Sequence, residues 1–239
     1  MFWADWHQGP VIMWANMDGS QPAVLVDSLV GYATGLAMDS PNGRLYYVDH
    51  TVKVIKIDDM QFYSLFDEQY HHPYSIAVFE NTVYWSDWTS NSIQTTDKLH
   101  STARKRNVLV KKDTPIYGME HYNPIFIVIG GGSYFTHIEM NVLGNPEAHA
   151  IHFDIGRVQA MAYDSKREFK TGVTNLFLYR GLDDVVEMDY DDATDSLYIL
   201  DQGRNAIDVV SLRTHKRALI HRLESHEVPL SFCVMSEYG

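Results

Sequence analysis

His72-Pro73-Tyr74-Ser75-Ile76-Ala77-Val78-Phe79-Glu80-Asn81-Thr82-Val83-Tyr84-Trp85-Ser86-Asp87 is the stretch whose reading decides the fold. It holds two short apolar runs separated by a polar turn, the pattern of a β-hairpin. The second run ends in two aromatics, a small residue and an aspartate, and that ending recurs outward along the chain. Phe2-Trp3-Ala4-Asp5 and Tyr46-Tyr47-Val48-Asp49 repeat it, and Tyr198-Ile199-Leu200-Asp201 is a weaker copy. The first three are spaced by 44 and then 38 residues, the length of a four-stranded propeller blade.

The first run recurs as well. Gly35-Leu36-Ala37-Met38-Asp39 and Gln159-Ala160-Met161-Ala162-Tyr163-Asp164 match Ser75-Ile76-Ala77-Val78-Phe79, with echoes at Met119, Met188 and Cys233. Centred on residues 37, 77, 119, 161, 188 and 233, the steps are 40, 42, 42, 27 and 45. The short step says that about half a blade is missing between Asp164 and Val186, which predicts an unpaired strand edge within 165–182. Between these runs lie alternating stretches such as Val52-Lys53-Val54-Ile55-Lys56-Ile57, bounded by turn signals such as Asp18-Gly19 and Asn42-Gly43. No segment sustains a helical period. The fold class is all-β, a six-bladed propeller with an incomplete or compressed ring. Leu36, Ala37, Ile76, Ala77, Met161 and Ala162 are expected to be buried on inner strands, and Trp3, Tyr47 and Trp85 to pack between blades.

Composition narrows the function. Of 239 residues, 45% are hydrophobic, enough for a sizeable core, and the net charge of -12 excludes nucleic acid and anionic membrane surfaces as partners. The basic cluster Arg104, Lys105, Arg106, Lys111 and Lys112 reads as a solvated turn entering a strand. Cys233 is the only cysteine, so no intrachain disulfide forms. No Asn-X-Ser/Thr acceptor, signal peptide or apolar stretch of about 20 residues is present.

Residues 2–124 closely resemble the last three blades of a YWTD propeller of the LDL-receptor class, in Phe2-Trp3-Ala4-Asp5-Trp6, Met17-Asp18-Gly19, Gly35 to Asp39, Asn42 to Asp49 and His72 to Asp87. Among members, the wording is most similar to arthropod vitellogenin receptors, which bind yolk lipoprotein. Residues 125–239 resemble the opening blades of a following propeller and are expected to complete one ring with 1–124. The six-cysteine EGF-like module that the family places between two propellers is absent after Pro124, so the sequence reads as a shortened product.

The resemblance implies a non-enzymatic extracellular receptor module, on the outer side of the plasma membrane and in endosomes, that assists pH-dependent release of lipoprotein cargo. It implies that Asp5, Asp49 and Asp87 accept hydrogen bonds from backbone N–H groups of the neighbouring blade, which keeps carboxylates ionised in mild acid. Trp3, Tyr47, Trp85 and Asp39 complete the structural repeat. His72 falls on the histidine that the family uses where the propeller meets the receptor's ligand-binding repeats at acidic pH. His71 beside it and His50, a residue or two from a second family histidine, complete the partner-binding set. A histidine, with an ordinary pKa of roughly 6.5, gains charge between neutral and endosomal pH.

Two other readings share the fold: a calcium-dependent hydrolase of the lactonase kind, with its metal in the central channel, and a secreted ligand-binding propeller of a signalling or basement-membrane protein. The acidic run Asp183 to Asp195 fails as a calcium loop, since Ala193, Thr194 and Leu200 stand where ligands and the turn glycine belong. It reads instead as a solvated strand-to-turn segment. Gly130-Gly131-Gly132 lacks the Lys-Ser/Thr of a phosphate loop and reads as a hairpin turn. The twelve histidines lack paired metal-ligand spacing beyond His71 and His72 or His149 and His152, so no metal or other cofactor is expected.

Overall fold

The computed structural model describes residues 1–6, 8–28, 30–66, 72–98, 106–111, 116, 118–122, 126–131, 134–140, 146–152 and 181–235, with strand positions alone for Val110 and from 118 to 152. The chain starts with β1 (Phe2–Asp5), β2 (Val11–Trp14) and β3 (Ala23–Val26). Four-strand meanders come after them: β4 (Gly35–Asp39), β5 (Arg44–Val48), β6 (Val52–Lys56) and β7 (Gln61–Ser64), then β8 (Pro73–Phe79), β9 (Thr82–Asp87), β10 (Ser92–Asp97) and β11 (Asn107–Lys111). Next come β12 (Gly118–Tyr122), β13 (Phe126–Gly131), β14 (Tyr134–Met140) and β15 (Pro146–His152). The described chain ends with β16 (Val185–Asp191), β17 (Ser196–Asp201), β18 (Ala206–Ser211), β19 (Arg217–Arg222) and β20 (Pro229–Cys233). The only helical segment among the described residues is one 3-10 turn, Ser40–Asn42.

These strands make five antiparallel four-stranded sheets, each a blade. The first blade is composite: β20, from the far end of the sequence, pairs with β1 through Phe2↔Cys233, Trp3↔Phe232 and Ala4↔Ser231. Inner strands stand side by side, β16 next to β20, β20 next to β4, β4 next to β8 and β8 next to β12. The order of blades is therefore fifth, first, second, third, fourth. The fold is an all-β propeller whose seam is the β20–β1 pair. Five of the six recurrence centres, at residues 37, 77, 119, 188 and 233, lie on inner strands. Met161 and Ala162, the sixth, lie outside the described residues, as do positions 165–180 of the segment 165–182 in which a strand edge is expected. β13 and β14 pair across the glycine run, up to Gly131↔Tyr134, as a hairpin.

Alternation along a strand explains why the repeat needs two adjacent aromatics. Successive side chains point to opposite faces, and each face of a second strand meets a different neighbouring blade. Trp3, Tyr47 and Trp85 all turn toward the preceding blade. Trp3 packs with Tyr198, Leu200 and Ile207 of the fifth blade, Tyr47 with Phe2, Ala4 and Ile12 of the first, and Trp85 with Tyr46, Val48 and Val54 of the second. Phe2, Tyr46 and Tyr84 turn toward the following blade. The three second aromatics are at most 1% exposed. The core is thus a series of interblade layers.

Leu36 and Ile76 are buried on their inner strands, but Ala37 and Ala77 are only half-buried. They line a central cavity of about 500 Å³, together with Glu187, Asp189, Phe232 and Cys233. An inner strand has one face on its neighbours and one on the channel, so alternate residues cannot be enclosed.

The turn between β2 and β3 docks on the fifth blade. Gly19 has φ +81, and a Cβ there would stand 1.9 Å from the Ile220 carbonyl oxygen. Gly19→Ala combines left-handed backbone with a collision against main chain, so we expect it to lower unfolding stability by about 1–3 kcal/mol in denaturant titration. An unchanged midpoint would show that the turn shifts freely.

Candidate partner-docking face

In each blade the start of the inner strand and the end of the next strand lie at the same end of the sheet, because the two are antiparallel. The aspartates that end β1, β9 and β17, and Asp49 directly after β5, therefore sit beside the connectors that enter their own blades. Asp5 accepts from the N–H of Val228 (2.7 Å), Asp49 from Gly31 (2.9 Å), and Asp201 from Asp183 and Asp184 (3.1 Å each). Asp87 accepts from Thr89 and Ser90 in the turn directly after it. These donors lie on the connector arriving from the neighbouring blade or, for Asp87, in the blade's own turn, whereas the resemblance implies donors on the neighbouring blade itself. Each carboxylate locks the path of the chain into or across its blade.

Asp49 shows the electrostatics. Burial pushes its carboxyl pKa up, but the Lys53 ammonium at 2.6 Å and the N–H groups of Gly31 and His50 outweigh burial and hold it below its usual value. Its stabilising contribution is present above the ordinary carboxylate range and is lost only as pH falls through the lowered folded value. This carboxylate stays ionised in mild acid.

The residues directly after the repeat aspartates contribute to one face, with His50 and Trp88 exposed and Trp6 half-buried. Trp6 comes after Asp5, His50 after Asp49 and Trp88 after Asp87. Trp88 is 45% exposed; its N–H donates to the His72 carbonyl and its ring lies 5.5 Å from the His72 ring. His72 and His50 are both exposed, and His71 lies outside the described residues. Pro73 behind His72 is buried, which anchors the histidine's backbone. Beside them stand Tyr74, 41% exposed, whose carbonyl accepts from the Thr34 hydroxyl, and Tyr32, 54% exposed, whose ring meets Trp6 edge-on at 4.9 Å. Trp6 is fixed by donating from Nε1 to the Ala33 carbonyl. One end of three consecutive blades thus presents two tryptophans, two tyrosines and two histidines on connectors, turns and a strand start beside the buried carboxylates. Sequence reading finds the histidines but misses the aromatics. The signal is present all the same, since an aromatic or histidine directly succeeds the repeat aspartate three times.

The opposite mouth and the channel are differently built. Lys98 and Asp39 form a buried ion pair at 2.8 Å that ties the third blade to the second, and Asn42 also donates to Asp39. Asp39 is therefore an interblade tie as well as part of the repeat. The run Asp183 to Asp195 is a strand and turn, but much of it is not solvated. Glu187 and Asp189 line the channel, and Asp191 and Asp195 are buried, capped by Ala193, Thr194 and Tyr190. The seam strand β20 lies alongside β16 and draws the two channel carboxylates inward to its own N–H groups. Among the described residues, no group of three or more His, Cys, Asp or Glu is arranged to hold a metal ion.

Residues 1–40 match the family described as low-density lipoprotein receptor repeat class B. The chain is similar to the YWTD propellers of the LDL-receptor class. It is 24% identical to vitellogenin receptor Yl of Drosophila melanogaster over 310 aligned positions, which cover 100% of this chain and 16% of that receptor. It is 34% identical over 126 residues to the vitellogenin receptor of Solenopsis invicta, covering 51% of this chain and 7% of the receptor. The chain therefore spans a small part of the receptors it matches. The 310 positions exceed the 239 residues of the chain, so the Drosophila receptor has segments without counterpart in this propeller. Among solved structures, a chain of the nidogen/laminin complex superposes with a TM-score of 0.71 at 12% identity, over 96% of this chain and 95% of that one. That likeness speaks for the fold alone.

Proposed function

We propose that this YWTD propeller is a non-enzymatic extracellular module of an endocytic receptor for lipoprotein or yolk protein. Its partner is the set of acidic, calcium-loaded ligand-binding repeats of the same receptor, which it engages as the compartment acidifies, so that cargo is displaced. Its place is the outer side of the plasma membrane and the endosome. The observation that carries this reading is the face of His72, Trp88, Tyr74, His50, Tyr32 and Trp6. Exposed tryptophan and tyrosine are the side chains that dominate protein–protein contacts, and here they stand on a braced turn, a strand start and a connector. A histidine is the side chain suited to sensing the drop from neutral to endosomal pH, and a partner rich in carboxylates would be attracted to a cationic face. The similarity to vitellogenin receptors supports the choice of cargo class. Residues 1–124 and 125–239 serve as the closing blades of one propeller and the opening blades of the next, and they complete one ring. The pairing of β12 with β13 across that division supports a single ring.

The test is binding of the chain to the receptor's calcium-loaded repeats at neutral and endosomal pH. Protonation linked to docking strengthens binding as pH falls. We expect wild type to bind about five- to tenfold tighter in acid, a change worth roughly 1 kcal/mol. His72→Ala should lose that gain and keep the neutral affinity. Trp88→Ala should weaken binding about tenfold or more at both pH values. Equal pH dependence in wild type and His72→Ala would remove His72 from the mechanism. No pH dependence in either would remove acid-driven docking.

A further inference from the structure

The seam of the ring is held by side chains that titrate. β20 is the inner strand of the first blade, and among the described residues no further strand pairs with its inner edge. That edge is met by the inner strand of the fifth blade. Glu187 Oε2 accepts from the Ser231 hydroxyl and from the Phe232 N–H, both at 2.7 Å. Two residues on, and on the same side of β16, Asp189 Oδ2 accepts from the Val234 N–H at 2.8 Å. Ser231 also accepts from the Leu36 N–H, so the contact extends through β20 to the second blade. The fifth, first and second blades are thereby linked through one hydroxyl and two carboxyl groups at the channel wall.

We infer that Glu187, supported by Asp189, is an acid-strengthened clasp on the closing strand β20, so that the ring is held more firmly in acid than at neutral or alkaline pH.

The surroundings set the direction. Glu187 and Asp189 are neighbours of like charge on a half-buried wall, and Asp191 extends the series on the same strand. From β17, the residues paired with Glu187, Met188 and Asp189 are Leu200, Ile199 and Tyr198, which supply no cation. From β20 comes the Cys233 thiol, kept neutral by burial and by the two carboxylates. The nearby cation is the buried Met1 ammonium, which acts on Asp189. Elsewhere along the cavity wall stand Glu80 and Asp39, the latter already committed to Lys98.

Burial is the main cause that raises Glu187, and it outweighs the two hydrogen bonds that favour the anion. The carboxyl is pushed up to about 8, and Asp189 to about 6. Between the ordinary value and the raised one, the folded chain holds a proton that the unfolded chain has released. The stabilisation is fully present below about pH 4.5 and is lost as pH rises through the folded value. Both hydrogen bonds to Oε2 survive protonation, because the second oxygen can carry the proton.

The test is thermal unfolding of wild type and Glu187→Gln from about pH 5.5 to 8.5. Glutamine keeps the accepting oxygen and removes the ionisation. The difference between the two proteins isolates this site from histidines, which titrate in both. We expect the melting temperature of wild type to fall, relative to Glu187→Gln, by roughly 3–8 °C across that range, with the variant the more stable at the alkaline end. Parallel curves would overturn the inference. If the variant fails to fold, carboxyl carbon NMR of wild type labelled at glutamate decides. One glutamate titrating near neutrality supports the clasp, and all glutamates titrating together in the ordinary acid range overturn it.

Discussion

Trp3→Ala is expected to lower the unfolding free energy by about 3–5 kcal/mol, the range for a large aromatic removed from a packed site. Trp3 is fully enclosed and packs with Tyr198, Leu200, Ile207 and Phe232, the layer between the last and first blades. It also pairs in register with Phe232 across the β20–β1 seam. A cavity there removes packing from the one interface that joins the two ends of the chain. Trp3→Phe should behave differently. Among the described residues the buried indole Nε1 meets no hydrogen-bond acceptor, so exchange for phenylalanine loses volume but also removes an unsatisfied donor. We expect a cost under about 1 kcal/mol for that variant. Chemical denaturation checks both, and similar losses in the two would mean that the indole itself, and not the volume it fills, holds the layer.

Lys98→Met should be nearly as damaging, by about 3–5 kcal/mol, for an electrostatic reason. Lys98 and Asp39 are each about 5% exposed, and the pair joins the second and third blades. Removing the cation leaves the Asp39 carboxylate buried, with the neutral Asn42 amide as its side-chain donor. The double variant Lys98→Met/Asp39→Leu removes both charges and should recover most of the loss, since a buried pair replaced by apolar groups is often close to neutral. A double variant as unstable as the single would show that the ion pair contributes net stability. Measured as a double-mutant cycle, the coupling is read directly.

The two large effects differ in how far they can be foreseen. Trp3 is legible as a packed wall residue, because the repeat marks it and alternation assigns it a face. Lys98 is not, because nothing in Thr95-Thr96-Asp97-Lys98 says that its ammonium crosses to an aspartate 59 residues earlier. The candidate face divides in the same way. His72 and His50 are legible from the resemblance, but the aromatics around them become one surface only when three blades are set side by side.

The all-β class, the blade length, the inner strands at Leu36 and Ile76, and the packed aromatics at Trp3, Tyr47 and Trp85 are all written in the linear order of residues. They depend on residues two positions apart or on copies one blade apart, and both are visible along the chain. Only the assembled ring sets Ala37 and Ala77 on a channel, turns Glu187 and Asp189 inward to hold β20, and brings β20 back to β1. Burial and ionisation depend on the groups that stand opposite a side chain. At the seam the opposite partner is more than 200 residues away, as Val228 is from Asp5, beyond the reach of any local pattern.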